Sequence, residues 1–308
     1  MEGFCLRTQF RTKTFGKWIL AGEHAVLRGS PALVFPLKSR SLEFEYIPHA
    51  EANGVSLILK GDTGKEIEFL FWAVLEKACT LLGISSTGVA GEYHLQSNIP
   101  LGAGLGASAA FCVAMTRFFV SQGLLVNDQA YEFARSLENI FHGESSGVDI
   151  AVVLNETGLH FERSGLRTVI RPSWSPQLYL SYSGSRGMTS ECVQKVKSLL
   201  ETNPDQGKIF DKQMKEAAAL SEQTLLSEQK NMNDLKKAID SAEECFRVWG
   251  LVHGNLKIHL DKLKDLGALA VKPTGSGGGG YALSLWTEKP DLGKMKSLGV
   301  ELIPCFES

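Results

Sequence analysis

Three glycines fall within five positions in IPLGAGLGASAA (99–110), and Ser108 then heads an apolar run. Bare amides ahead of a helix N-terminus make a cradle for a di- or triphosphate, and a serine in the first turn can place its hydroxyl on an accompanying divalent cation. Two other readings fit the same residues. Gly102-x-Gly104-x-x-Ala107 satisfies a relaxed dinucleotide fingerprint, with LLVND (124–128) as a short strand ending on the acidic Asp128. A plain turn with Ser108 as a helix cap needs no ligand at all. A P-loop is excluded, because no Gly-Lys-Ser/Thr follows the glycines.

Three further segments hold residue types that do chemistry. In FGKWILAGEHAVLRGSPAL (15–33), Lys17 opens an apolar run that Gly22, Glu23 and His24 interrupt. Charge inside an apolar segment is costly unless paired, so the triplet reads as a polar pocket or as a solvated hairpin turn. In ENIFHGESSGVDIAVVL (138–154), Glu138 and Asp149 lie eleven residues apart across a Gly/Ser-rich turn. Asp149 at the mouth of so apolar a run is a helix cap or a functional carboxylate, and Glu138 is a solvated face residue or its companion. In KPTGSGGGGYALSLW (272–286), four consecutive glycines precede a strand-like run. That pattern marks a flexible linker or a place where something approaches the backbone closely.

The elements that must position these residues follow from periodicity. WILAGEHAVL, SLEFEYI and VSLILK read as strands or strand–turn pieces, and EYHLQSNI alternates up to Pro100. A helix over 69–83 ends at Gly83; SAAFCVAMTRFFVSQG (108–123) is apolar nearly all round and reads as a buried helix. DQAYEFARSLENIFHG (128–143) is amphipathic, with Asp128 placed as N-cap and Gly143 as its stop. Beyond RPSWSP (171–176) come a strand at QLYLSYSG, helices over 189–201, 208–230, 233–250 and 253–266, and a return to strand at YALSLW. The sum is α+β: a mixed α/β first half and a helix-rich second half.

Composition narrows the classes of function. With 308 residues and 44% apolar content the chain can bury a large core, and 32 basic against 34 acidic residues form no block of like charge. A general nucleic-acid or membrane-surface binder is therefore not expected. Six scattered cysteines (5, 79, 112, 192, 245, 305) lack metal-ligand spacing, and the N-terminus lacks a signal-peptide core. Reduced, packed thiols in a soluble cytoplasmic protein are the expectation.

Taken together, the four segments resemble the GHMP kinase family, named for its galactokinase, homoserine, mevalonate and phosphomevalonate kinase members. GKWILAGEHAVLRGSPAL is similar to the family's first motif on its mevalonate side; IPLGAGLGASAA resembles the phosphate loop Pro-x-x-x-Gly-Leu-Gly-Ser-Ser-Ala, with Ala107 in place of the first serine. HGESSGVD resembles His-Gly-x-x-Ser-Gly-x-Asp, KPTGSGGGG the C-terminal glycine motif, and SGSRGMT (183–189) a Pro-Arg-x-Thr segment with one extra residue between Arg186 and Thr189. The resemblance implies a two-domain fold, 1–172 and 173–308, with an active site between the domains. It implies transfer of the ATP γ-phosphate to a small alcohol, mevalonate first, with Mg²⁺ and a homodimer. It matches Asp149 to the catalytic aspartate, Lys17 to its paired lysine, and Ser108 and Glu138 to the Mg²⁺ ligands. It assigns Pro100, Gly102, Ala103, Gly104, Leu105, Gly106, Ala107, Ser108 and Ala109 to the triphosphate. Glu23, His24, Arg186, Gly277 and Gly278 fall on the acceptor side.

Overall fold

The computed structural model describes residue 6 and residues 8–48, 54–60, 64–142 and 145–306. They form two compact units that interleave along the chain. The first comprises Met1–Gly16, Lys38–Leu101 and Gly106–Glu156; the second comprises Lys17–Leu37, Gly102–Leu105 and Thr157–Ser308.

Two long strands, β1 (Phe10–Ala21) and β2 (Ala32–Ile47), each run from one unit into the other. Both are longer than the strand–turn pieces their apolar runs predict, because charged residues such as Arg11, Lys13 and Glu43 alternate along the outer face and pair there. In the first unit β2 pairs antiparallel with β4 (Gly91–Ser97), and β3 (Val55–Lys60) pairs parallel with β4. Four helices complete it: α1 (Gly64–Leu82), α2 (Ala107–Ser121), α3 (Ala130–His142) and α4 (Val148–Asn155). The predicted first helix thus begins five residues early and stops at Gly83 as expected. As its composition requires, α2 is buried on nearly every side, and Phe118 meets Phe44, Tyr46 and Tyr93 at ring separations of 4.9–5.6 Å.

Two local expectations fail. LLVND forms no strand: a turn leads into a 3₁₀ segment at Asn127–Gln129, so Asp128 lies inside that segment and caps nothing with its side chain. Gly143, the expected stop of α3, lies outside the described residues, as does Cys5. The parallel pair β3 and β4, joined through α1, lies ahead of the glycine loop, and no strand among the described residues follows α2 to make a second such unit with the loop at its turn, so the dinucleotide reading of the loop falls.

In the second unit the start of β2 pairs with β5 (Gly158–Phe161), and β5 with β6 (Arg167–Ile170). A separate antiparallel sheet has the order β10-β7-β9-β8, from β7 (Gln177–Tyr182), β8 (Ala270–Pro273), β9 (Tyr281–Trp286) and β10 (Ile303–Pro304). Around it stand α5 (Thr189–Thr202), α6 (Pro204–Leu226), α7 (Met232–Val248), α8 (Gly254–Asp265) and α9 (Leu292–Ser297). Leu256, Leu260 and Leu263 of α8 close a core with Val271, Ala282 and Trp286. No helix among the described residues is long and apolar enough to cross a membrane, and Cys79, Cys112, Cys192, Cys245 and Cys305 are free and buried.

Candidate active site

In the first unit the chemistry-bearing residues stand on α2, α3 and α4. Gly106 is the N-cap of α2, held in the left-handed region at φ +75°, and as a glycine it brings no side chain of its own to cap the helix. Ser108 lies in its first turn, half-buried among buried alanines. The loop before it alternates hand, with Gly102 at φ +67° and Gly104 at +84°, which turns successive amides to one side. A glycine cap, an alternating backbone and the positive end of a helix are the features an anion of phosphate type requires, so the segment fits one. The serine-cap reading fails, because the cap is Gly106.

Glu138 sits one turn from the end of α3, on its buried face rather than its solvated one, and is only 1% exposed. A buried carboxylate needs partners. The Ser145 hydroxyl donates to Glu138 Oε2. Ser145 is itself fixed, since its Oγ accepts the Gly147 amide at 3.0 Å and its own amide donates to Asn139 Oδ1 at 2.8 Å. The turn ends at Gly147, left-handed at φ +82°, where a Cβ would meet the Tyr131 hydroxyl at 2.0 Å. Gly147 is the N-cap of α4, so Asp149 is not the cap either: it lies in the first turn, half-buried, where the amide dipoles favour a negative charge. Ser108 and Glu138 supply hydroxyl and carboxylate oxygen, the donor type that a hard divalent cation takes.

In the second unit Lys17 is 3% exposed near the end of β1, and its amide donates to the Leu105 carbonyl at 2.9 Å, which ties the strand to the glycine loop. The triplet that follows is a buried polar site, not a solvated hairpin turn: Glu23 and His24 are 3% and 6% exposed. Glu23 Oε1 accepts from the ammonium of Lys272, a fully buried lysine on β8. Burial pushes the Glu23 carboxyl up and the Lys272 ammonium down, and each partner's charge opposes that displacement in the other. His24 Nε2–H donates to the Ser276 carbonyl at 2.9 Å. Burial pulls the His24 pKa down to about 4, so the imidazole is neutral at pH 7. Its ring lies edge-on to Phe246 and Trp249 of α7 and the turn after it, with centroids 5.9 and 5.3 Å away.

The glycine run is no linker. A Cβ on Gly280 would come 2.7 Å from the Ala103 carbonyl oxygen, and one on Gly279 2.7 Å from the Arg186 carbonyl carbon. Gly277 and Gly278 pack against Phe246, Leu251 and Cys192. What approaches this backbone closely is therefore the chain itself, at 102–105 and 185–187. Arg186 is exposed, and its Cδ lies 3.5 Å from where a Gly102 Cβ would stand. The second unit thus gathers Lys17, Glu23, His24, 102–105, Arg186 and 275–280. Ser145, Lys272, Thr274 and Ser276 complete these clusters without having been singled out from sequence. The available signal was a lysine inside the apolar strand AVKP and a serine pair in HGESSGVD.

Residues 70–156 match the model of the GHMP kinases N terminal domain. A mevalonate kinase of Thermococcus gammatolerans is 28% identical over 303 residues, covering 89% of this chain and 88% of its own. Among solved structures, L. major mevalonate kinase in complex with R-mevalonate superposes with a TM-score of 0.77 at 20% identity, over 93% of this chain and 90% of that one. Streptococcus pneumoniae phosphomevalonate kinase does so at 0.71 and 17% identity, over 96% and 98%. The fold is the one these two solved kinases share. The segment that matches the GHMP kinases N terminal domain, residues 70–156, holds the glycine loop, α2, Glu138 and Asp149.

Proposed function

We propose that this protein is a mevalonate kinase, moving the γ-phosphate of ATP to the primary hydroxyl of mevalonate. The observation that carries the phosphotransfer reading is the trio on the first unit's helices. Ser108 and Asp149 stand in the first turns of two glycine-capped helices, and buried Glu138 lies on the helix between them, held by Ser145. The choice of mevalonate draws support from the relatives at 28% identity over nearly the whole chain.

On this reading the chain mostly positions groups and stabilises charge, as phosphoryl transfer demands. The amides of 102–108 and the α2 N-terminus bind the triphosphate oxygens. Ser108 and Glu138 hold Mg²⁺, which when bound neutralises phosphate charge. Asp149 orients the acceptor hydroxyl or takes its proton, and Lys17 stabilises the alkoxide that develops. Glu23, His24 and Arg186 serve the acceptor. Gly277 and Gly278 shape the wall beside them. A cytoplasmic setting and a homodimer belong to the same proposal.

A coupled ADP-release assay across mevalonate, phosphomevalonate, homoserine and galactose tests it. The expected result is a kcat/KM for mevalonate at least tenfold above that for any other acceptor, about 1.4 kcal/mol of discrimination. A higher value for phosphomevalonate would reassign the acceptor while keeping the family. Ser108→Ala should raise the KM for Mg-ATP and leave the KM for mevalonate nearly unchanged.

A further inference from the structure

Among the described residues of the second unit, His24 alone of the non-glycines takes a positive φ. It has φ +57° and ψ −47°, and the Ala25 amide donates to the Glu23 carbonyl across it at 2.6 Å. That is a γ-turn of the rare, strained hand, centred on a residue with a full side chain. Such a turn persists only where its surroundings over-determine it.

The surroundings are one stretch of chain, 272–276, whose alternate residues each grip the segment 19–24. Lys272 Nζ donates to Glu23 Oε1 and, at 3.3 Å, to the Ile19 carbonyl. Thr274 Oγ1 accepts the Ile19 amide and donates to the Ile19 carbonyl, both at 3.0 Å. The Ser276 carbonyl receives the His24 imidazole. Lys272 grips from the end of β8, and Thr274 and the Ser276 carbonyl from the turn that follows it, where Gly275 is left-handed at φ +85°.

Lys272 is the anomaly of the three. It is fully buried, its ammonium lies 5.5 Å from the Phe246 ring centroid, and Glu23 Oε2 on the far side of the ion pair is buried without a hydrogen bond. A buried ion pair gives no more stability than apolar side chains of the same volume would. Stability alone therefore does not account for a lysine here. We propose that Lys272 is a positioning residue for His24: by fixing Glu23 it holds the strained turn in the one conformation that anchors the imidazole on the Ser276 carbonyl. Lys17, two residues before Ile19, is carried on the same clamped segment. The inference rests on the phosphotransfer reading for its kinetic consequence, but not for the geometry of the turn.

The test is the paired variant Lys272→Met with Glu23→Leu, which removes both charges at similar volume. Its melting temperature should not fall below that of the wild type. Because Glu23 itself serves the acceptor on the proposed reading, kinetics are read on Lys272→Met alone, well below its melting point: the KM for the alcohol acceptor should rise about tenfold or more while the KM for Mg-ATP stays within about twofold, as expected for misplacement of one acceptor group. In the same samples the His24 imidazole resonances should titrate upward from about 4 towards 6.5 as the turn relaxes. Should the pair not fold, the acceptor KM and the His24 resonances of Lys272→Met carry the test. Unchanged acceptor KM and unchanged His24 resonances would overturn the proposal. A wild type that does not phosphorylate mevalonate would sink the functional reading alone, since the His24 resonances still report on the turn.

Discussion

Glu138 and Asp149 are carboxylates of the same unit, eleven residues apart, and their surroundings differ. Glu138 is sealed on a helix face and takes a hydrogen bond from Ser145, whereas Asp149 is half-buried in a first helical turn. A held, buried oxygen suits a cation ligand; a partly open one suits a group that meets a substrate proton. On the proposed reading, Asp149→Asn lowers kcat by at least roughly 10²-fold, the size of a general-base contribution, with an unchanged circular dichroism spectrum. Near-normal turnover would remove that role. Ser145→Ala frees the Glu138 carboxylate from its orienting bond. The Mg²⁺ concentration for half-maximal rate should then rise by about tenfold, as for other residues that orient a metal ligand. An unchanged Mg²⁺ requirement would show that Ser145 only packs.

At the scale of elements, the glycine run and the glycine loop are two backbones packed on one another. Gly275 lies against Gly104, and Gly280 against Ala103. Gly280 and Gly123 share a left-handed φ, +77° and +73°, but a Cβ on Gly123 meets nothing within 4 Å. Gly123→Ala should therefore cost only the backbone penalty of about 1 kcal/mol. Gly280→Ala adds a collision with the Ala103 carbonyl oxygen and should cost at least about 2 kcal/mol more. Urea unfolding midpoints at constant m-value compare the two, and equal shifts would mean that the loop yields to the added methyl. The same comparison explains why 277–280 is glycine throughout: the constraint is the chain's own proximity rather than a need for slack.

Across the whole molecule, two buried imidazoles tie stability to pH. His24 and His259 both have pKa values lowered to about 4, chiefly by burial, against about 6.5 in the unfolded chain. His259 Nε2 also pairs with the Ser181 hydroxyl at 2.7 Å. In each case the unfolded state binds the proton more readily. Their contribution is complete above about pH 6.5, declines as pH falls towards 4, and levels off below that. The melting temperature of the wild type should fall between pH 6.5 and 4, and His259→Gln should flatten that slope. A variant as steep as the wild type would take His259 out of the dependence and leave it to His24 and the carboxylates.

The letters of the chain were enough for the parts that depend on local order. Gly83 ends α1, the all-round apolar run 108–121 is a buried helix, and four separated motifs point to a phosphotransferase. The first two are matters of spacing along one segment, which composition and periodicity report directly; the third rests on resemblance to a known family. The Asp128 cap and the full length of the two long strands were misjudged, because capping and strand extension were settled by neighbours distant in sequence. The same holds at the site. Whether Glu138 faces water or the core, and which residue holds it, depends on how α3 packs and on a serine seven positions later. The pairing of Lys272 with Glu23, 249 residues away in sequence, shows locally only as a lysine in an apolar strand, and the positive φ of His24 shows not at all. Charge burial and backbone strain are balanced by contacts that only the folded chain creates.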